Sequence, residues 1–341
     1  MRYIRALCRE MDLRRGYISE PPTTIYIGGG TPSQLPEGQL HALFGAMDIS
    51  RAEEITMECN PDDITPEYAR SIGELPISRV SMGVQTFSDN RLRLLRRRHD
   101  AAEVHRAVDL LRREGIGNVS IDLIYGFPGE TVEQWLGDVN RALELRPEHI
   151  SAYCLSFEEG TPLYAMLKEG QVGECGEESC RAMYFALVDK LTAAGYEHYE
   201  ISNFALPGRR SRHNSGYWRS VPYMGVGAAA HSFDGDSRQW NVADIDEYMD
   251  CVERGAVPME RETLGTATRY NDTVMLSLRT VEGIDLEAIA ADFGQGYAEM
   301  CKKQAARYAE GGLLELSGNS LRLTRKGIFV SDMIASDLML V

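Results

Sequence analysis

The sequence has no long apolar run and comparatively little positive charge. No stretch approaches the roughly 20 uninterrupted apolar residues of a membrane-spanning helix, and the first residues lack the apolar region of a signal peptide. Lys and Arg number 36 against 51 Asp and Glu, which gives a formal net charge of -15 at pH 7. Nucleic-acid binding depends on clustered Lys and Arg that release counterions from phosphates. We therefore predict a cytoplasmic protein with no integral membrane segment and no nucleic-acid partner.

The cysteines follow no spacing that is typical of a metal site. Cys175 and Cys180 are the closest pair, and the four residues between them match no common ligand motif. An odd number of scattered cysteines indicates reduced thiols rather than a disulfide framework. We interpret all seven as structural or incidental and predict no metal site among them. The seven are Cys8, Cys59, Cys154, Cys175, Cys180, Cys251 and Cys301.

Short strands alternate with amphipathic helices through the first half of the chain. Asp100 with Glu103, and Thr131 with Gln134, have the spacing of a capping box at a helix start. Alternating βα units predict a parallel sheet, either open or barrel-like. We predict strands at residues 24–27, 54–58, 79–84, 119–125 and 149–155, and helices at residues 35–47, 101–114 and 132–145.

One polar or glycine residue falls at the end of each predicted strand. These residues are Gly30, Glu58, Gln85, Asp122 and Ser156, which lie 28, 27, 37 and 34 residues apart. The carboxyl ends of parallel strands meet at one rim, where ligands bind in β/α barrels. The spacing therefore predicts a ligand site at this rim.

The second half of the chain loses the βα rhythm. Residues 159–256 are mixed, with one long helix predicted at 177–194, and the tail has helices at 267–279, 286–293 and 297–308. Two short strands follow at residues 313–316 and 321–323, and helices before a small hairpin are typical of a winged-helix domain. In an acidic chain we interpret this domain as a packing module. The predicted division is residues 1–158, 159–256 and 257–341.

Five sequence blocks together resemble a known family. The blocks are residues 27–33 (Ile-Gly-Gly-Gly-Thr-Pro-Ser), 58–61 (Glu-Cys-Asn-Pro), 81–87 (Ser-Met-Gly-Val-Gln-Thr-Phe), 122–129 (Asp-Leu-Ile-Tyr-Gly-Phe-Pro-Gly) and 199–204 (Tyr-Glu-Ile-Ser-Asn-Phe). In this order and at these spacings the chain resembles the oxygen-independent coproporphyrinogen III dehydrogenase family of radical-SAM proteins, over essentially its whole length. The resemblance implies an α/β fold, namely a partial parallel β/α barrel lacking its first strand, with a C-terminal winged-helix-like domain.

The resemblance implies an S-adenosylmethionine site at the strand ends. Alone, Arg97 would more often be a solvated charge and Asp122 a helix cap, but their shared placement at the rim favours the ligand site. Arg97 resembles the family's arginine for the methionyl carboxylate, which a guanidinium group can bind in bidentate fashion. The remaining matches are Gly29, Gly30 and Thr31 for the methionyl end, Glu58 as a further acid, Gln85 and Asp122 for the ribose hydroxyls, and Ser156 near the adenine.

A further block separates the subfamilies. Residues 212–218, Arg-His-Asn-Ser-Gly-Tyr-Trp, resemble the HNxxYW block of the HemW-type haem chaperones, which the dehydrogenases proper lack. Imidazole is a common axial ligand of haem iron, and aromatic rings cover a porphyrin face. His213 is therefore the predicted haem ligand, a role in bonding nearby backbone being its alternative, and His231 is a weaker candidate for the ligand pocket. The implied partners are haem or porphyrin and a haem-acceptor protein.

The family's cluster motif does not occur in this sequence. Family members hold a [4Fe-4S] cluster through CxxxCxxC, and the helix predicted from Tyr3 resembles the one that follows the cluster loop, so we expect a segment to be missing before Met1. Without a source of electrons the chain should be catalytically inactive and bind S-adenosylmethionine weakly. We predict a haem-binding chaperone. The alternative is a coproporphyrinogen III dehydrogenase, inactive without that segment.

Overall fold

The computed structural model describes residues 1–340 and groups them into two compact units. The sheet unit comprises residues 24–37 and 53–211, and the mixed unit comprises residues 1–23, 38–52 and 212–340. This grouping concerns spatial compactness, and the division of the sequence into three segments stays a prediction. Within residues 1–340, none of the helices combines the length and the apolar character needed to cross a bilayer.

The sheet unit is built on seven strands. Five are parallel and in chain order, which confirms the predicted parallel α/β architecture, and the last two are antiparallel additions after β5. The sheet order is β1-β2-β3-β4-β5-β7-β6. The strands are β1 Thr24–Ile27, β2 Glu54–Cys59, β3 Arg79–Gln85, β4 Val119–Tyr125, β5 His149–Cys154, β6 Glu197–Glu200 and β7 Asn203–Ala205.

Helices lie before, between and after these strands along the chain. The capping boxes predicted at Asp100 and Thr131 are confirmed, since each side chain accepts a backbone N–H of the first helical turn. The helices are α1 Arg2–Leu13, α2 Glu37–Ala46, α3 Pro66–Gly73, α4 Asp89–Leu94, α5 Ala101–Arg113, α6 Val132–Glu144, α7 Pro162–Lys168, α8 Glu177–Ala193, α9 Arg212–Trp218, α10 Ile245–Glu253, α11 Thr266–Leu278, α12 Leu286–Phe293, α13 Gln295–Glu310 and α14 Ser331–Leu338.

The two faces of the large sheet differ sharply in chemistry. Residues paired across neighbouring parallel strands share a face, because successive side chains alternate sides. One face carries apolar pairs such as Met57 with Val80 and Met82 with Ile121. The other, which we call the polar face, carries Tyr26, Thr56, Glu58, Arg79, Ser81, Ser120, Asp122, His149 and Ser151.

The mixed unit contains two small antiparallel sheets. The first consists of β8 His231–Phe233, β9 Ser237–Asn241 and β10 Met259–Thr263, and the second of β11 Ile284–Asp285, β12 Leu314–Ser317 and β13 Ser320–Leu323. The hairpin β12–β13 packs with α11 to α14 around a core that includes Tyr270, Ile284, Cys301 and Leu321. The expected helical C-terminal domain with a hairpin is confirmed.

Candidate functional site

The glycine loop after β1 holds the carboxylate of Glu58. Tyr26 Oη donates to Glu58 Oε1 at 2.8 Å, and the Gly29 amide donates to Oε2 at 3.1 Å. A Cβ at Gly28 would lie 2.5 Å from the Tyr26 ring and 2.9 Å from Glu58 Oε1, so glycine is required for this approach. Burial raises the pKa of Glu58, and its two hydrogen bonds oppose that shift.

The next two glycines leave the backbone open. Gly29 and Gly30 have φ angles of 75° and 43°, in the left-handed region, and a Cβ at either would meet no atom within 4 Å. The loop therefore presents backbone amides that a ligand can approach closely. Thr31 follows directly and precedes the short 3-10 helix Pro32–Gln34.

Strand β3 ends in a bulge that redirects Gln85. The pairing of β3 with β4 shifts register between Met82 and Gln85, and Gln85 adopts a φ of 68° although it is not glycine. β-Bulges, and non-glycine residues with a left-handed backbone conformation, are common at functional sites, where they change the direction of a side chain. A Cβ at Gly83 would lie 2.9 Å from Gln85 Nε2, so this glycine makes room for the folded-back amide.

Arg97, in the turn after α4, extends its side chain towards Gly83 and Gln85. Its Nη1 donates to Asn60 Oδ1 at 3.0 Å, and its Nη2 would lie 3.6 Å from a Cβ at Gly83. Asn60 was not among the predicted site residues, although it belongs to the Glu-Cys-Asn-Pro block that the sequence showed. Asn60, Gln85 and Arg97 therefore converge around Gly83.

Asp122 occupies the middle of the polar face. Ser81 Oγ donates to Asp122 Oδ2 at 3.1 Å, and Ser151 also bonds the carboxylate. Burial raises the pKa of Asp122, while the charges of Arg79 and Arg97 oppose the shift. Asp122 also contributes to the raised pKa of Glu58, so these two acids and Arg97 share one electrostatic environment. The structure thus brings Gly29, Glu58, Gln85, Arg97 and Asp122 to one region.

The polar face retains unused hydrogen-bonding capacity. Thr56 Oγ1 and Arg79 Nε are buried and have no hydrogen-bond partner. Buried polar atoms without partners cost free energy unless water or a ligand satisfies them. Two acceptor carboxylates, an amide and a guanidinium group fit a ligand that carries hydroxyls and a carboxylate. Within residues 1–340, no group of three His, Cys, Asp or Glu side chains is arranged to hold a metal ion.

Ser156 lies at the edge of this region. It is exposed and follows the last residue of β5 by two positions. Its side chain makes no hydrogen bond to the other described residues. The predicted role near an adenine therefore depends on its position alone. The roles assigned to Gly30, Thr31 and Ser156 stay predictions.

His213 lies in the mixed unit, at the start of a row of aromatic rings. Its Nε2 is 2.9 Å from Tyr217 Oη, and the two rings meet edge to face with centroids 5.0 Å apart. Tyr217 packs in the same way on Tyr223 at 4.8 Å, and Tyr223 is 6.4 Å from Phe233. We call these four residues the aromatic row. It joins α9 to β8 within one unit.

His231 and Trp218 lie in surroundings different from those of His213. His231 is exposed at the start of β8 and stacks on Trp240 at 6.2 Å. Trp218 does not join the aromatic row. It lines a cavity of about 240 Å³ with Met275 and Arg279, and the Arg279 guanidinium lies 4.9 Å from its ring centre.

Comparisons with known proteins agree on the family. The Radical SAM superfamily profile matches residues 11–142 and the HemN C-terminal domain profile matches residues 266–330. The chain is 33% identical to "Heme chaperone HemW" of Bacillus subtilis (strain 168) over 332 residues, covering 95% of this chain and 88% of that protein. It is also 33% identical to "Heme chaperone HemW" of Lactococcus lactis subsp. lactis (strain IL1403), covering 95% and 86%.

The fold has a solved counterpart. The structure of coproporphyrinogen III oxidase (HemN) from Escherichia coli superposes with a TM-score of 0.83 at 23% identity and covers 99% of this chain and 82% of that one. At this identity the likeness concerns the fold. It confirms the expected radical-SAM architecture.

Proposed function

We infer the function from the premise that this chain belongs to the HemW family of radical-SAM proteins. We propose that it binds haem in the cytoplasm and passes it to an acceptor protein. The observation that supports haem binding most directly is the aromatic row that begins at His213. An imidazole next to a row of rings offers both an iron ligand and a surface for a flat porphyrin.

The neighbours of His213 would orient its ring for ligation. Histidines that bind metals commonly donate their other ring N–H in a hydrogen bond to a second group, which fixes the ring plane. Tyr217 supplies such a bond from one turn further along α9, and Tyr223 packs against Tyr217 from outside the helix. In this proposal Tyr217 is a positioning residue and His213 is the ligand.

A haemin titration of single variants tests this proposal. We expect the wild-type chain to develop a Soret band with saturation, and His213→Ala to weaken the affinity at least about tenfold, since removing an axial ligand costs more than 1.4 kcal/mol. His105→Ala is the matched control, because His105 is exposed on α5 and belongs to the sheet unit. Titrations that are indistinguishable for wild type and His213→Ala would contradict the assignment.

We also propose that the rim of the sheet unit binds S-adenosylmethionine. Arg97 would bind the methionyl carboxylate, the backbone of Gly29, Gly30 and Thr31 would flank the methionyl end, and Glu58 would add an acceptor. Gln85 and Asp122 would bond the ribose hydroxyls, and Ser156 would lie at the adenine. When it is bound beside a reduced cluster, S-adenosylmethionine supplies radical chemistry in this family.

Thermal shift at millimolar ligand tests the rim. A ligand that binds only the native state raises the melting temperature in proportion to RT ln(1 + [L]/Kd), so even weak binding is detectable. We expect S-adenosylmethionine to raise the melting temperature of the wild type, and Gln85→Ala to lose most of that increase. Gln171→Ala, an exposed position after α7, should keep it. Equal increases for all three proteins would place the ligand elsewhere.

A further inference from the structure

Three of the seven cysteines meet beyond the carboxyl ends of β4 and β5. Cys154 is the last residue of β5, Cys175 lies in the loop before α8, and Cys180 is in the first turn of α8. The Sγ atoms of Cys154 and Cys180 are 3.7 Å apart, and the side chains of Cys175 and Cys180 are also in contact. Cys180 therefore lies between the two other thiols. We call these three residues the thiol cluster.

Gly126 provides the space that the thiol cluster occupies. It follows β4 with a φ of 82°, and a Cβ there would lie 3.1 Å from Cys154 Sγ and 3.2 Å from Cys180 Sγ. Its amide donates to Glu130 Oε2 at 2.7 Å, and Glu130 is in turn paired with Arg91 at 2.8 Å. The turn at Gly126 that contacts the thiol cluster is thus held by hydrogen bonds, and it places no side chain between the sulfurs.

We propose that Cys154 and Cys180 form a reversible disulfide and that Cys175 is the thiol that can exchange with it. A disulfide needs the sulfurs to close to about 2.05 Å, so the 3.7 Å contact must shorten by less than 2 Å, a movement within reach of side-chain rotation. Cys154 is exposed at the end of its strand, so a small oxidant can reach it.

The oxidant that we assign is hydrogen peroxide. The Cys154 sulfur attacks the peroxide oxygen and breaks the O–O bond, which gives a sulfenic acid and water. The Cys180 sulfur then attacks the sulfenic sulfur, the S–O bond breaks, and the hydroxyl leaves as a second water with the proton of Cys180. Two thiols lose two hydrogens and one hydrogen peroxide becomes two waters. Cys175 can then attack Cys180, which forms a Cys175–Cys180 bond and returns Cys154 to the thiol.

The reaction should be slow at neutral pH and accelerate in alkaline solution. Cys154 is exposed as a residue, but its sulfur packs against that of Cys180, and this desolvation raises the pKa of the thiol. Desolvation likewise raises the pKa values of Cys175 and Cys180 to about 11. Only the thiolate attacks, so the rate should rise roughly tenfold per pH unit between pH 7 and 9. The cluster is therefore suited to slow, accumulating oxidation.

Oxidation followed by thiol mapping tests the proposal. The full chain is treated with hydrogen peroxide at pH 8.5, alkylated with iodoacetamide, digested and analysed by mass spectrometry. We expect a linked pair of peptides that contains Cys154 and Cys180, is two hydrogens lighter than the separate peptides, and disappears on treatment with dithiothreitol. Cys180→Ser should abolish every link within the cluster, and Cys154→Ser, which removes the thiol that the peroxide oxidises first, should strongly reduce formation of the Cys175–Cys180 link.

Two controls make the result decisive. Cys251→Ser, in α10 of the mixed unit, should leave the Cys154–Cys180 link unchanged, and circular dichroism of each variant verifies folding. Cys154 and Cys180 that stay fully alkylated, or that are oxidised independently to sulfinic acids, would overturn the proposal. A thiophilic metal held by these thiols, with alkylation possible only after chelation, would overturn it as well.

Discussion

His149 is an ionisable side chain of the polar face that is completely buried. Both of its hydrogen-bond partners are neutral. It is 0% exposed, with Nδ1 at 2.8 Å from Ser120 Oγ and Nε2 at 2.7 Å from Tyr199 Oη. Both ring nitrogens are thus satisfied by hydroxyl groups that can accept or donate. Burial holds the pKa of His149 well below its ordinary value, and the charge of Arg79 acts in the same direction.

This residue predicts a loss of stability in mild acid. Unfolded His149 binds a proton near its ordinary pKa of about 6.5, whereas the native residue does not, so the free energy of unfolding should fall as the pH drops below about 6.5. The contribution approaches roughly 1.4 kcal/mol per pH unit for one such group. Urea denaturation of wild type and His149→Gln between pH 7.5 and 5.5 measures this contribution. The free energy of unfolding of the wild type minus that of His149→Gln should decrease with about this slope as the pH falls.

His105→Gln serves as the reference for that series, since His105 is exposed on α5. A wild-type to His149→Gln difference that is independent of pH would show that native His149 titrates like an exposed histidine.

At the scale of elements, helix α1 fixes the loop between α9 and β8. Glu10 is 0% exposed and accepts from the Gly227 amide at 2.8 Å and from Tyr248 Oη at 2.6 Å. Arg14 pairs with Glu10 at 3.0 Å and donates to the Gly225 carbonyl at 2.9 Å. One buried ion pair therefore satisfies backbone groups at two points of this loop, which carries Tyr223 of the aromatic row.

Breaking this pair should be costly. Glu10→Gln leaves the buried charge of Arg14 without its counter-ion, and such a change typically costs about 3 kcal/mol or more. Asp12→Asn is the matched control on the same helix, because Asp12 pairs with Arg15 at the surface, and the effect should stay within about 0.5 kcal/mol. Denaturant unfolding of the two variants compares them, and equal losses would show that the Glu10 network does not stabilise the unit.

Elements with strong local signals were predictable from the sequence, and those defined by distant contacts were not. The caps at Asp100 and Thr131 and the five parallel strands depend on residues close in sequence, so the pattern located them. Strands β6 and β7 are too short to show a period, and β7 is defined by its pairing with β5. The bulge at Gln85 and the meeting of Cys154 with Cys180 likewise depend on residues far apart in the chain.

The candidate site was predictable to a similar degree. The rim positions of Glu58, Gln85 and Asp122 follow from strand ends, and the structure brings them to one region. Asn60 was missed because an asparagine beside a proline is common in turns, and only the contact with Arg97 distinguishes it. The aromatic residues close to His213 were visible in the sequence, but the packing of Tyr217 on Tyr223 was not. The environment of Trp218 was not predictable either, since it is set by the C-terminal helices.

At the scale of the whole molecule, the net charge of -15 opposes the proposed ligand. Haemin carries two propionates, so the long-range field of the protein repels it. Near His213 the sequence carries positive charge, because Arg219 follows the last residue of α9, the helix that contains His213. The Debye length is about 30 Å at 0.01 M salt and about 10 Å at 0.1 M. Salt therefore screens the distant acids before it screens an arginine close to His213.

This difference in range predicts a maximum in the rate of haemin association as salt increases. Between roughly 0.01 and 0.1 M the rate constant should rise as repulsion is screened, and above that it should fall as the local attraction is screened. Stopped-flow absorbance measures both branches. Arg219→Ala should lose most of the fall, whereas Arg254→Ala, which removes the same charge from the end of α10, should keep it. A rate that only rises with salt in all three proteins would mean that net charge alone governs the encounter, and that Arg219 does not attract the propionates.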